Sequence, residues 1–151
     1  MSLSAGEIKL VKDSWAPVYA NKKESGIALF VRLFSENPGF QSQFRYLDGV
    51  SGLAAIEKTP ALADHGVKVM DTVNSWVGSL GDAPALVKQL TALGTSHIAL
   101  KVTPANFDAM GPVLLWTLQE KAGGAFTPAA KDAWAKGWDL MKSHIVKALQ
   151  G

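Results

Sequence analysis

The feature that most constrains the fold of this chain is the spacing of its apolar residues, which recur every three or four positions along most of its length. Near the start, Ile8, Val11, Trp15 and Val18 lie at such intervals and form one stripe of a helix. No segment shows the sustained alternation of apolar and polar residues that is typical of strands. The pattern therefore predicts an all-α fold with little or no β-sheet.

Polar residues followed by proline predict where several helices begin. Proline suits the first turn of a helix because its φ angle is already helical and its missing N–H is not needed there. At the N-terminus, Ser4 and Glu7 have the spacing of a capping box, in which each side chain bonds the backbone of the other residue. The pairs that predict further helix starts are Asn37-Pro38, Thr59-Pro60, Thr103-Pro104 and Thr127-Pro128.

Glycines predict where the helices are interrupted. Residues 47–54 contain two glycines and a serine and read as a loop. Gly81-Asp82 interrupts the long helix that starts at Pro60, and Gly123-Gly124 ends a later one. We expect seven or so helices with short connections, packed as a single domain over residues 1–151.

Composition excludes several classes of function. The chain is 48% hydrophobic and 19% charged, which is not the composition of a disordered protein. Its net charge of +2 is scattered, so we expect no nucleic-acid partner. The absence of cysteine excludes disulfides, thiolate metal sites and thiol nucleophiles. There is no signal-peptide pattern and no apolar run of about 20 residues, so we expect a cytoplasmic protein without a membrane partner.

Two of the three histidines interrupt apolar stripes. His97 continues the stripe of Leu90 and Leu93, and His65 lies on the apolar face of the helix that carries Val69. A neutral imidazole on an apolar wall is a common ligand of haem iron. Either histidine alone could be an ordinary core residue, but two on different helices could face one another across a flat cofactor. We assign the third histidine, His144, a structural place.

Motifs for other chemistry are missing. The sequence has no His-Glu-x-x-His zinc motif, no Gly-x-Ser-x-Gly nucleophile turn, no phosphate-binding Walker loop and no Gly-x-Gly-x-x-Gly. What remains is a haem site or an all-helical interaction domain without a cofactor.

A set of motifs in a fixed order along the chain favours the haem site over a domain without a cofactor. In chain order they are Trp15 in the first helix, the run Leu33-Phe34-Ser35-Glu36-Asn37-Pro38 followed by Phe44, the run His65-Gly66-Val67-Lys68-Val69, and Leu93, Ser96 and His97. With these motifs the chain resembles the globin family over essentially its whole length. The resemblance implies a globin fold of seven to eight helices packed around a haem b pocket. The first half is similar to molluscan myoglobins and haemoglobins, and the second half is similar to neuroglobins.

The resemblance also implies roles for the two histidines. His97 is expected to be the proximal iron ligand, with Ser96 accepting from its Nδ1–H. His65 is expected on the distal side, where it faces the bound gas and is a possible sixth iron ligand. Phe30 and Val69 are expected to shape the ligand pocket around His65.

Further pocket residues follow from the same resemblance. Phe44 is expected to stack on the porphyrin. Arg45, Tyr46 and Lys68 are expected near the haem propionates. The remaining cofactor-binding positions, which together with Val69 supply apolar wall, are Leu93, Val102, Phe107 and Met110.

The function implied is reversible binding of O₂, with CO and NO as further ligands, by a protein that is not an enzyme and is a monomer or homodimer. Two alternatives of another kind stay open. One is a haem redox enzyme, an NO dioxygenase or nitrite reductase, that works with a reductase. The other is a neuroglobin-like sensor or electron-transfer protein with both histidines on the iron.

Overall fold

A computed structural model describes residues 2–100 and 102–151, and within these ranges it contains only helices and their connections. The all-α prediction is confirmed. The α-helices are α1 (Ala5–Ala20), α2 (Lys22–Glu36), α3 (Leu53–Glu57), α4 (Pro60–Gly78), α5 (Ala83–His97), α6 (Pro104–Ala122) and α7 (Pro128–Leu149). Short 3-10 helices cover Pro38–Gln43, Arg45–Leu47, Ile98–Leu100 and Gly123–Ala125. None of the helices in the described ranges is both long enough and apolar enough to span a bilayer.

Local capping explains why most helices begin where the sequence predicts. In α1 the backbone N–H of Glu7 donates to the Ser4 hydroxyl at 3.1 Å, and the N–H of Ser4 donates to the Glu7 carboxylate at 2.8 Å. Prolines occupy the first position of α4, α6 and α7, as predicted. Thr127 precedes α7, and its hydroxyl accepts from the N–H of Ala130 at 3.1 Å. These bonds satisfy amides that have no partner inside the helix.

Two boundary predictions are wrong in detail. The loop predicted over residues 47–54 ends early, because Leu53 already begins α3. Gly52, with φ of 90°, makes the turn into this helix, and the burial of Ile56 (2% exposed) in the core holds it in place. α4 ends at Gly78, before the predicted break at Gly81-Asp82. The short helix predicted to start at Pro38 is found, and it is a 3-10 helix.

A contact between two glycine backbones fixes the crossing of α2 and α4. A Cβ atom on Gly26 would lie 2.6 Å from the carbonyl carbon of Gly66, and one on Gly66 would lie 2.8 Å from that of Gly26. No side chain fits between the two helices at this point. The close approach brings Phe30 of α2 to a ring-centroid distance of 4.8 Å from His65 of α4.

A second glycine contact positions the end of α5. A Cβ atom on Gly94 would lie 2.5 Å from the carbonyl oxygen of Ile145, so α5 packs directly on the backbone of α7. Gly94 lies about one turn before His97 on the same helix. This contact fixes the packing against α7 of the helix end that carries His97.

Two tryptophans pack together in the core between α1 and α7. The rings of Trp15 and Trp134 lie 5.7 Å apart, and both are almost completely buried. The indole N–H of Trp134 donates to the hydroxyl of Ser14 at 2.9 Å, and that of Trp15 donates to the Asn74 side chain at 3.0 Å. Their polar atoms are therefore satisfied, and the pair ties α1 to α4 and α7.

The α2–α4 crossing generates a stability prediction. Gly26→Ala should lower the free energy of unfolding by about 3 kcal/mol, the upper end of the usual cost of overpacking, because its new methyl group meets backbone and not a movable side chain. Gly78→Ala, in the last turn of α4 with open space around it, should be neutral or stabilising by up to about 1 kcal/mol. Urea unfolding of both variants and wild type measures the difference. Equal stability of the two variants would show that the helices can separate at no cost.

Candidate functional site

His65 projects from α4 into a group of aromatic rings. Its ring centroid lies 4.8 Å from that of Phe30, 5.6 Å from that of Phe44 and 5.8 Å from that of Tyr46. Phe34 packs edge-on against Phe44 at 5.0 Å and supports it from behind. The structure therefore brings together Phe30 and His65, both expected in the ligand pocket. Phe44, expected to stack on the porphyrin, and Tyr46, expected near the propionates, lie against the same ring.

The hydroxyl of Tyr46 bonds directly to His65. The Tyr46 oxygen lies 2.7 Å from Nδ1 of His65. Burial raises the pKa of Tyr46, so this phenol keeps its proton. A phenol is a better donor than a neutral imidazole N–H, so the favoured arrangement has Tyr46 donating to Nδ1. The proton of the neutral His65 ring is then on Nε2, which becomes a hydrogen-bond donor.

The surroundings of His65 keep its ring neutral. Burial lowers its pKa first, and the charges of Lys68 and His97 lower it further. The His65 side chain of α4 is therefore a neutral imidazole.

His97, at the end of α5, is held in the opposite tautomer. Its Nδ1 lies 2.8 Å from the carbonyl oxygen of Leu93 and 3.2 Å from the hydroxyl of Ser96. A carbonyl can only accept, so Nδ1 carries the proton and donates it. The Ser96 hydroxyl itself donates to Leu93 at 2.8 Å, which leaves a lone pair for the His97 N–H. The lone pair on Nε2 of His97 is therefore free to bind a metal.

The apolar residues expected to line the pocket share an intermediate exposure. They contrast with neighbours on the same helices, such as Leu90 (0% exposed) and Leu114 (2% exposed), which are fully buried. An apolar plate between α4 and α5 would cover the half-buried surfaces. These half-buried residues are Phe44, Val69, Leu93, Val102, Phe107 and Met110.

The residues after His97 add apolar surface that the sequence pattern did not indicate. Ile98 is 48% exposed and Leu100 is 59% exposed, in the short 3-10 helix that follows α5. On the other side of His97, Phe107 packs edge-on at 6.2 Å. A free imidazole nitrogen beside exposed apolar surface fits haem.

The residues expected at the propionates differ in their surroundings. Arg45 and Lys68 are exposed, while the hydroxyl of Tyr46 bonds inward to His65. The charge of Lys68 nevertheless acts on His65, so it lies near the same opening. Tyr46 therefore has a partner inside the pocket that spacing along the chain did not indicate.

Comparison with known proteins agrees with this geometry. The family model for Globin matches residues 27–145. The chain is 34% identical over 151 residues to a globin of Aplysia kurodai, with 98% of this chain and 99% of the relative covered. It is 31% identical over 145 residues to a neuroglobin of Danio rerio (96% and 91% covered) and 31% identical over 137 residues to cytoglobin-1 of the same species (89% and 79% covered).

The chain belongs to the globin family. Membership makes it a haem protein that binds small gas ligands, and it agrees with the free Nε2 of His97.

The bond between Tyr46 and His65 generates a spectroscopic prediction. Tyr46→Phe keeps the ring but removes the donor, so His65 should change from one tautomer, with the proton on Nε2, to a mixture of two. The ¹⁵N spectrum of the histidine ring nitrogens measures the change. The control is Tyr19→Phe, which removes a 2.8 Å hydrogen bond to Asp71 and should leave the His65 signals unmoved. Unchanged His65 signals in Tyr46→Phe would mean that the tautomer is set elsewhere.

Proposed function

We propose that this chain is a single globin domain over residues 1–151 that binds O₂ reversibly, for storage, buffering or intracellular transport. The observation that carries the proposal is the different Nδ1 partner of each pocket histidine, a phenol for His65 and a backbone carbonyl for His97, which favours opposite tautomers. Nε2 of His97 has a free lone pair, and Nε2 of His65 has a proton to donate. One side of the site is thus prepared to hold a metal and the other to hold a polar ligand.

His97 is the residue that would hold the iron of haem b. When bound, ferrous haem supplies the metal centre to which O₂, CO or NO attaches. The carbonyl of Leu93 and the hydroxyl of Ser96 fix the His97 ring through Nδ1 and make Nε2 more basic. Phe107 limits tilting of the ring from the side.

His65 and its neighbours would select the ligand. The Nε2–H of His65 donates to a diatomic ligand on its side of the site, which favours O₂ over the less polar CO. Phe30 and Phe44 exclude water by filling the space beside the ring, and Val69 narrows it from the next turn of α4.

Two features favour a carrier over a redox enzyme or a six-coordinate protein. Tyr46 is the titratable partner of His65, and burial raises its pKa, so it holds its proton instead of passing it on. A His65 ring with its proton on Nε2 has no lone pair there for iron. The ferrous protein without gas ligand should accordingly show one broad visible band, and two sharp bands would favour the neuroglobin-like alternative.

Replacing His97 tests how the cofactor is held. His97→Ala should weaken haem binding by at least about 100-fold, because loss of even an outer partner of a metal ligand costs about 10–100-fold. The measurement is haem content and Soret absorption after purification. His144→Ala, on α7, is the matched control and should keep wild-type haem content. Normal haem content in His97→Ala would contradict the assignment of His97 as the iron ligand.

Replacing His65 tests the choice of ligand. His65→Leu removes the donor and should lower the ratio of O₂ to CO affinity roughly 10–150-fold, mostly through faster O₂ dissociation. Stopped-flow measurement of both dissociation rates gives the ratio. An unchanged ratio would mean that another group donates to O₂.

A further inference from the structure

Two side-chain amides join distant parts of the chain. Nδ2 of Asn106 donates to Oε1 of Gln43 at 2.8 Å, and Nε2 of Gln43 lies 3.3 Å from Oδ1 of Asn106. The two residues are 63 positions apart in the sequence. Gln43 ends the 3-10 helix Pro38–Gln43, and Asn106 lies in the first turn of α6.

Each partner immediately precedes an aromatic residue of the pocket. Phe44 follows Gln43 and packs 5.6 Å from His65, whereas Phe107 follows Asn106 and packs 6.2 Å from His97. The amide pair therefore connects the wall on the His65 side to the wall on the His97 side.

Both ends of this connection are anchored. Oδ1 of Asn106 also accepts from the backbone N–H of Thr103 at 2.9 Å, which fixes the side chain to the start of α6. On the other side, the amide of Gln41 donates to the carbonyl of Val50 at 2.6 Å and ties the 3-10 helix to the segment that follows. Since neither end is free to drift, separating the walls at this edge requires breaking the amide pair.

We propose that Gln43 and Asn106 form a clamp that holds the two walls of the pocket together and slows the loss of haem. A flat cofactor held between His65 and His97 leaves only when these walls part. The pair contacts neither histidine, so it acts on cofactor retention and not on the gas ligand. This inference rests on the proposed haem site and adds positioning residues to it.

A double-mutant cycle tests the clamp. Gln43→Glu keeps an oxygen that accepts from Asn106, and Asn106→Asp keeps an oxygen that accepts from Gln43 and from Thr103. The double variant has two carboxylates facing one another and no donor. Each single variant should change the rate of haemin transfer to an excess of another apoglobin less than about 2-fold, and the double variant should speed it about 10-fold or more, well above the product of the two single effects.

Two further variants separate the clamp from general effects of charge or folding. The pair Gln119→Glu with Gln150→Glu adds the same charge at exposed positions on other parts of the surface and should leave haemin transfer unchanged. Gln43→Lys with Asn106→Asp places opposite charges at the clamp and should return the rate to the wild-type value or below. The O₂ dissociation rate should stay at the wild-type value throughout.

The outcomes are distinct. A wild-type protein that shows no Soret band with haemin defeats the proposed function and the clamp with it. Normal haem binding with additive rates in the cycle, or equal acceleration in the charge control, overturns the clamp alone. An O₂ dissociation rate that rises together with haemin loss also overturns it, because the pair would then be acting through the pocket interior.

Discussion

The direct contact between the backbones of Gly26 and Gly66 is the constraint on which the ligand side of the site depends. With no side chain between α2 and α4, their separation is set by backbone van der Waals radii, and it varies less than a packing of flexible side chains would. His65 is the residue next to Gly66, so its ring inherits that precision. Phe30 lies about one turn after Gly26 and meets the ring from α2.

The chemistry of the two histidines comes from groups that are ordinary elsewhere in proteins. A helical carbonyl decides the tautomer of His97, because it can only accept. A half-buried phenol favours the other tautomer for His65, because the phenol keeps its proton and donates it. Two imidazoles thus take different roles because their Nδ1 atoms have different partners. A carbonyl oxygen leaves Nε2 of His97 free to bind a metal, and a phenol leaves Nε2 of His65 as a donor. Burial then keeps His65 neutral, so that its donor stays a neutral N–H.

The sequence best predicts those structural features that depend only on residues close together in the chain. Helix starts at Pro60, Pro104 and Pro128 depend on a local φ angle and a missing N–H, and they are found where expected. The short helix α3 was missed because the core that buries Ile56 is assembled from distant segments. Glycines near it suggest a loop unless that burial is known.

The site divides in the same way. The periodic stripes indicate that His65 and His97 point inward, and the family resemblance suggests what they do. Whether Tyr46 turns toward the propionates or toward His65 depends on packing between segments far apart in sequence. The hydrogen bond between Gln43 and Asn106 could not be predicted either, because the local sequence around each residue gives no sign of a contact 63 positions away.

The glycine crossing has a consequence for how such a sequence can change over generations. Most packing faults can be repaired, since a larger residue on one helix can be offset by a smaller one opposite. Here the opposite residue already has no side chain to give up. A substitution at either glycine is therefore destabilising whichever of the two changes first, so neither position can accumulate neutral substitutions. The residues around this crossing can be substituted repeatedly, whereas the two glycines have to be retained.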